Sequence, residues 1–233
     1  MNGAAADPPS STKIVGIRRL SADVLQVTCS VPADFSWSPG QHVAVAASPL
    51  GSPSYYSIAS ADVAPHRSAR VLELAMRESS IKWPLPLQLG QEFFLSAPSG
   101  GPPEGAVADA QHLILIGMGT GIAPLRALSQ AHLLRRTGSG FLTMIQGART
   151  ESECLFLDEF TALQSTGFDY RPVLSQPGAS WSGRTGYVQD HLTDLPHSGA
   201  YFCICGKLAM VDDVSARLAK LGVNSTAIFS EGY

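Results

Sequence analysis

The sequence predicts an antiparallel β-barrel followed by a parallel α/β domain. Up to residue 105, short β-branched runs alternate with Gly and Pro turns, and from residue 112 short apolar runs alternate with helical stretches. With 233 residues, of which 45% are hydrophobic and 15% charged, the chain is long and apolar enough for two folded domains.

The first half shows six strand-like runs, at residues 13–19, 23–31, 42–46, 55–59, 71–76 and 92–95. Turn signals separate these runs, for example at Pro39-Gly40, Gly90 and Pro98. Short strands with regular turns are typical of a small barrel, and we expect six strands of Greek-key type over residues 13–105. Residues 1–12 are expected to be a disordered tail.

The second half begins with the apolar run 112–116, which is typical of a strand buried on both faces of a parallel sheet. Further strands are predicted at 141–145, 170–174 and 201–205. Helices are predicted at 123–136, 155–163, 188–192 and 207–221. This alternation predicts an open parallel sheet with right-handed crossovers over residues 106–233, after a hinge at 100–103.

Charge and cysteine content narrow the function classes. The 16 basic and 19 acidic residues give a net charge of −3, which disfavours nucleic acid as a partner. No apolar run is long enough for a membrane span, and the N-terminus has no secretory pattern. The four scattered cysteines favour a reduced, cytoplasmic setting, with an organelle stroma (a plastid) as the alternative. No metal site is expected from the His and Cys spacing.

The segment 116–124 places three glycines, Gly117, Gly119 and Gly121, between a strand and a helix. Glycines let the backbone approach a ligand, and the free N–H groups of a helix start attract phosphate. Pro124 fits the first helical turn, where its missing N–H costs nothing. The alternative is a tight turn without a ligand. Ile122 breaks the G-x-G-x-x-G pattern, which disfavours an ordinary Rossmann dehydrogenase.

An ordered set of short motifs resembles the ferredoxin–NADP reductase-type flavoproteins, which combine a flavin barrel with a nicotinamide-dinucleotide domain. The matching segments are P-G-Q at 39–41, Y-S at 56–57, G-T-G-I-A-P at 119–124, G-A-R at 147–149, C-G-x-x-x-M at 205–210 and E-G-Y at 231–233. The resemblance runs from about residue 13 to residue 233. It implies FAD, or alternatively FMN, in the barrel and NAD(P)H in the second domain.

The resemblance also implies roles for individual residues. Tyr56 would flank the flavin ring, Ser57 would hydrogen-bond at its N5 edge, and Tyr233 would stack on the other face until nicotinamide displaces it. Cys205 would pack beside the nicotinamide, and Glu231 would orient the reacting pair. The residues expected to bind the dinucleotide are Gly117, Gly119, Thr120, Gly121, Pro124, Arg149, Ser175, Gln176 and Gly206.

Each of these roles has a simpler alternative. Tyr56 also suits cross-strand packing, and Cys205, like Cys203, suits the core as a small apolar residue. A terminal Tyr233 also suits a frayed chain end.

The chain departs from the family pattern at two places. Ser54 stands where the family has an arginine that clamps flavin phosphate, and a serine lacks the charge. In the second phosphate segment, 76–81, we hypothesise that Arg77 supplies the missing charge and that Ser79 and Ser80 supply hydroxyls.

At residues 174–176, Gln176 stands where NADPH-specific members have arginine after the serine, here Ser175. This difference favours NADH, with Arg149 and Arg184 left as alternative phosphate partners.

The leading hypothesis is therefore a flavin-dependent NAD(P)H oxidoreductase. It would pass hydride to a barrel-bound flavin and electrons to a separate acceptor, either a redox protein or a small molecule. The alternative is a nucleotide-binding or regulatory module with weak or lost flavin binding, which the departure at Ser54 motivates. A nicotinamide dehydrogenase without flavin is disfavoured because it leaves the barrel without a purpose.

Overall fold

The computed structural model of the protein describes residues 9–62, 70–83, 85–103, 105–135, 140–164 and 167–233. The barrel strands are β1 (Ser10–Arg19), β2 (Val24–Val31), β3 (His42–Ala46), β4 (Ser54–Ser57), β5 (Arg70–Arg77) and β6 (Glu92–Leu95). The second sheet contains β7 (His112–Met118), β8 (Phe141–Ala148), β9 (Phe168–Leu174), β10 (Arg184–Thr185), β11 (Ala200–Gly206) and β12 (Ile228–Gly232). The helices are α1 (Ile122–Arg135), α2 (Leu157–Leu163) and α3 (Leu208–Lys220).

The first sheet is antiparallel, with the strand order β4-β3-β6-β1-β2-β5, and the predicted fold class is confirmed. A bridge between Ile58 and Leu74 joins the two edge strands. Strand β1 begins at Ser10 because Ser10 pairs with Leu95 and the next three residues continue along β6. The predicted tail therefore ends earlier than residue 12, and residues 1–8 lie outside the described part of the chain.

The second sheet is parallel, with the strand order β10-β9-β8-β7-β11-β12. The predicted strands are present and extend beyond their expected bounds, whereas β10 and β12 were not predicted. The helix expected at 188–192 is a short 3-10 turn over Val188–His191, and the helix expected from 155 begins at Leu157. Residue 136, the expected end of the first helix, lies outside the described residues.

The barrel and the parallel domain share one apolar core. Val24, Ala59 and Ala75 of the barrel belong to the same buried cluster as Ile122 and Phe156 of the second domain. Apolar area buried at such an interface stabilises the relative position of the two domains.

A buried cation reinforces this interface. Arg126 of α1 is 7% exposed, and its guanidinium donates to the Ala59 carbonyl at 2.8 Å and to Glu73 at 2.6 Å, both in the barrel. The same group donates to Glu159 of α2 at 2.8 Å and lies over the Phe156 ring, 4.6 Å from its centroid. One side chain thus connects both domains. No helix among the described residues is long and apolar enough to cross a bilayer.

Candidate functional site

The glycine turn lies where β7 feeds α1 and passes close to the end of β11. At Gly117 a Cβ would lie 2.8 Å from the Cys205 carbonyl oxygen, and at Gly121 it would lie under 3.0 Å from the same oxygen. Gly119 has φ +55, a left-handed conformation that favours glycine. Close packing therefore requires glycine at 117 and 121, and the backbone conformation favours it at 119. Pro124 occupies the first turn of α1.

The other residues predicted to bind the dinucleotide line up along the same edge of the sheet. Met118 pairs with Gly147, and Ala148 pairs with Leu174, so the ends of β7, β8 and β9 are adjacent. At this edge the Ser175 and Gln176 amides donate to the Ala148 and Arg149 carbonyls at 3.0 and 2.8 Å. The carboxyl edge of a parallel sheet is where such folds bind nucleotides. Arg149, Ser175 and Gln176 therefore lie at the same sheet edge as the glycine turn, and their role in binding a dinucleotide stays a prediction.

A cleft of about 400 Å³ lies between the barrel and this edge. Eight of the predicted site residues line it: Tyr56, Ser57, Arg77, Ser80, Thr120, Cys205, Glu231 and Tyr233. The cleft takes residues from β4, β5, β11 and β12, which are far apart in the sequence. The other nine predicted site residues do not line it: Ser79, Gly117, Gly119, Gly121, Pro124, Arg149, Ser175, Gln176 and Gly206.

Tyr233 closes one side of the cleft with its hydroxyl on the glycine turn. The hydroxyl accepts from the Gly121 amide at 2.9 Å and from Thr120 Oγ at 3.1 Å, and it donates to the Met118 carbonyl at 3.2 Å. Tyr233 is 59% exposed overall, while desolvation of the hydroxyl raises its pKa. The hydroxyl thus accepts the hydrogen bond from the Gly121 amide, which the glycine turn would otherwise offer to a phosphate. These hydrogen bonds tie Tyr233 to the turn, and none of the described aromatic rings stacks on it.

A histidine of the barrel and a carboxylate of the second domain face each other across the cleft. His42 Nδ1 of the barrel lies 3.4 Å from Glu231 Oε1 of β12, and His42 Nε2 lies 3.2 Å from Ser99 Oγ. Among the described atoms, His42 Nδ1 and Glu231 Oε2 are buried without a hydrogen-bond partner. Buried polar atoms of this kind are costly unless a ligand or water satisfies them. Together with the half-buried Ser57, they suit the polar edge of a heteroaromatic ring.

Cys205 is buried at the bottom of the cleft. Desolvation, with a contribution from Glu231, raises its thiol pKa to about 12, so the thiol is neutral at pH 7. A neutral thiol offers a small, polarisable contact and is a poor nucleophile. Its predicted packing role suits this environment. Cys203 lies in the core, fully buried.

Two adjacent tyrosines of β4 face different ways. Tyr56 is 6% exposed and packs edge-on against Trp83, with ring centroids 6.2 Å apart. Tyr55 is 70% exposed, lines the cleft, and meets the His42 ring edge-on at 6.1 Å. Tyr55 therefore presents more free aromatic surface to a ligand than the predicted Tyr56.

The predicted phosphate segment forms a single 3-10 turn over Glu78–Ser80. The Arg77 guanidinium pairs with Asp23 and lies 3.8 Å from the position that a Cβ at Gly119 would take, so it reaches the glycine turn. Ser79 is exposed on this turn. The role of Arg77 at a flavin phosphate stays a prediction.

His42, Tyr55 and Arg126 were not identified from the sequence. His42 follows the P-G-Q turn directly, and Arg126 is a single charge in an apolar helical run, which is the signal of a buried, partnered cation. Nothing in the sequence around Tyr55 distinguishes it from the adjacent tyrosine as a site residue.

Comparison with known proteins finds a matching family model and related sequences. Residues 115–216 match the oxidoreductase NAD-binding domain family. The chain is 36% identical over 131 residues to ferredoxin–NADP reductase B of Sorangium cellulosum, covering 52% of this chain and 53% of that protein. It is 27% identical over 153 residues to NADH-cytochrome b5 reductase 1 of Cryptococcus neoformans, covering 58% of this chain and 51% of that protein. The chain thus spans about half the length of these relatives.

The fold has a close solved counterpart. A ferredoxin NADP⁺ reductase from Neisseria gonorrhoeae, solved with bound FAD and NADP, superposes with a TM-score of 0.79 at 21% identity, covering 97% of this chain and 98% of that one. At this identity the match concerns the fold. Sequence relatives and fold together confirm the predicted resemblance to the ferredoxin–NADP reductase-type proteins.

Proposed function

We propose that the chain is an NAD(P)H oxidoreductase that works with a flavin. A reduced nicotinamide dinucleotide binds along the carboxyl edge of the parallel sheet, a flavin binds at the barrel side of the cleft, and electrons continue to a separate acceptor. The observation that carries this proposal is the shared cleft, in which Ser57 of the barrel, Cys205 and Glu231 surround one space beside the glycine turn.

The chain's own contribution is to bind and orient. The flavin, when bound, supplies the chemistry of accepting a hydride. Cys205 provides a neutral contact surface, and Ser57 and the His42–Glu231 pair provide hydrogen-bonding groups at the ring edge. Holding two reactants in contact removes much of the entropic barrier of a bimolecular reaction. The shared apolar core and Arg126 keep both halves of the cleft at a constant separation.

The dinucleotide is proposed to be NADH. Arg149, which follows β8, pairs with Glu153 at 2.8 Å. Arg184 of β10 lies 3.2 Å from Asp194. With Gln176 in place of arginine, the charged groups described near Ser175 are already paired, which disfavours the extra phosphate of NADPH.

The experiment that tests this function is anaerobic reduction of added flavin. Purified protein with excess FAD is mixed with NADH or NADPH, and the visible absorbance of the oxidised flavin is followed. Catalysed bleaching, faster with NADH, is expected. Protein that binds NADH and flavin but never accelerates bleaching would contradict the proposal.

A second candidate function rests on Ser54. A module that binds nucleotide without redox turnover would need no phosphate clamp in the barrel. It predicts NADH binding with no flavin-dependent oxidation, so the same experiment separates the two functions. The acceptor, a redox protein or a small molecule, is proposed to lie outside this chain.

A further inference from the structure

The phosphate end of the barrel site is closed by contacts within the chain. The Ser54 hydroxyl donates to the Ser80 carbonyl at 3.4 Å, and the Tyr56 hydroxyl donates to the same carbonyl at 3.3 Å. Ser80 Oγ in turn donates to the Arg77 carbonyl at 2.8 Å. Three hydroxyls that could contact a phosphate therefore donate their protons to the backbone.

The cations beside this segment are also occupied. Arg19 makes a forked contact with Glu78, at 2.9 and 3.3 Å. Arg77 pairs with Asp23, and Lys82 Nζ donates to the Pro53 carbonyl at 3.1 Å. A phosphate here would compete with Asp23 and Glu78 for the charge of the two arginines, whereas a phosphate clamp depends on a cation free to make charge-assisted hydrogen bonds.

The geometry of Arg77 points to the coenzyme side of the cleft. Its Nη2 lies near Gly119, and it contributes electrostatically to the Tyr233 hydroxyl on the glycine turn. The Arg77 side chain thus extends towards the glycine turn. Ser54 is 8% exposed and bonded to the Ser80 carbonyl.

The ring end of the site has the opposite character. His42 Nδ1 and Glu231 Oε2 have no hydrogen-bond partner among the described atoms, and Tyr55 presents an exposed aromatic face. A ligand that brings a polar heteroaromatic ring satisfies these groups. Its phosphates find no equivalent set of free groups in the part of the barrel that the structure describes.

We propose that the chain binds flavin through its ring and ribityl chain without a phosphate clamp, so that flavin is an exchangeable substrate of the enzyme. This inference rests on the proposed function. In each turnover an oxidised flavin takes a hydride from the reduced nicotinamide and one proton from water. The products are NAD(P)⁺ and the two-electron-reduced flavin, which leaves the cleft and carries the electrons to the acceptor.

The test compares three flavins that share a ring and differ in phosphate content. Riboflavin, FMN and FAD are titrated into flavin-free protein, and the dissociation constants are obtained from the quenching of flavin fluorescence. We expect the three constants to agree within about tenfold, equivalent to about 1.4 kcal/mol. FAD binding more than about tenfold tighter than riboflavin overturns the inference and leaves the proposed function standing. Failure to bind any flavin overturns both.

Two variants locate the missing clamp. Ser54→Arg is expected to tighten FMN and FAD by about tenfold and to leave riboflavin unchanged. Ser52→Arg, on the exposed loop two residues earlier, is the matched control and is expected to change none of the three. Because Ser54 is buried, folding of the variant is checked by circular dichroism, and the parent series decides the inference by itself if this variant fails to fold.

Arg77→Ala addresses the alternative that Arg77 turns towards the flavin. We expect the ratio of the FAD and riboflavin dissociation constants to remain that of the parent. A selective loss of FAD and FMN affinity would identify Arg77 as the clamp and would overturn the inference.

Discussion

Replacing Arg126 by methionine should uncouple the barrel from the parallel domain. The guanidinium is buried and bonded to Glu73, Glu159 and the Ala59 carbonyl. Methionine keeps the apolar stem but leaves two carboxylates, 22% and 27% exposed, facing each other without a cation. Breaking a buried pair by removing one partner costs about 3–5 kcal/mol. For a chain of this size that corresponds to a loss of roughly 6–20 °C in Tm.

The assay is urea unfolding, followed by far-UV circular dichroism and by tryptophan fluorescence. Trp37 and Trp83 report on the barrel once Trp181, which lies beside β10 in the second domain, is replaced by phenylalanine in the parent and in every variant. Circular dichroism reports on the helices of the second domain. We expect a lower midpoint for Arg126→Met and a separation of the two signals, because the domains then unfold at different urea concentrations.

A matched control is available on the surface. Arg217 approaches Asp190 at 3.9 Å, and both side chains are about half exposed. Arg217→Met should therefore cost about 0–1 kcal/mol. If Arg126→Met costs no more than this control, the interpretation of Arg126 as the interdomain contact is refuted. Adding Glu73→Gln to Arg126→Met should recover part of the loss, because much of it is the penalty of an unpaired charge.

Four further outcomes follow, two from the site and two from the buried cysteines. Gly121→Ala forces a Cβ against the Cys205 carbonyl and should abolish NADH oxidation. Gly178→Ala is the control, because a Cβ there has no atom within 4 Å, and it should leave the rate of NADH oxidation unchanged. Equal rates for the two variants would contradict the requirement for close packing at Gly121. Tyr233→Phe removes the hydroxyl that accepts the hydrogen bond from the Gly121 amide. NADH, measured by titration, should then bind about 2–10-fold more tightly, which is the contribution of one hydrogen bond. Weaker binding would show that the hydroxyl helps to hold the coenzyme. All four cysteines are buried with raised thiol pKa values, so a thiol reagent at pH 8 should label none in native protein and four after unfolding. The folded thiols keep their protons to higher pH than the unfolded ones, so their contribution to the free energy of unfolding is complete below about pH 9 and is lost as pH rises towards 12. A free energy of unfolding that does not change between these pH values would contradict the raised pKa values.

The cysteine outcome also bears on mechanism. Cys205 lies beside Glu231 and the glycine turn, where a thiolate would suggest covalent chemistry. Burial and the neighbouring carboxylate both favour the protonated thiol, so Cys205 suits a packing role in the cleft and is a poor nucleophile.

Local patterns in the sequence were sufficient for the architecture. Period-two runs with turns between them indicated the barrel, and the buried run at β7 followed by glycines indicated the parallel domain, because side-chain periodicity and turn chemistry are local properties. The motifs placed eight predicted residues in one cleft, since a strand-to-helix glycine turn and the ends of parallel strands meet at the same edge. Strand β12 was not predicted from its sequence, because Ile228–Gly232 is a strand by virtue of its pairing with β11.

Partnerships across the domains were decided only by the tertiary structure. Neither His42 nor Arg126 carries local information about the carboxylate it meets, because Glu231 and Glu73 are brought there by the packing of the barrel on the parallel sheet. The same holds for Tyr233, whose hydroxyl reaches Gly121 more than a hundred residues away. The sequence alone determined which chemical groups the chain carries and the type of fold that holds them. Long-range packing determined which of those groups are free to bind a ligand and which are already bonded within the protein.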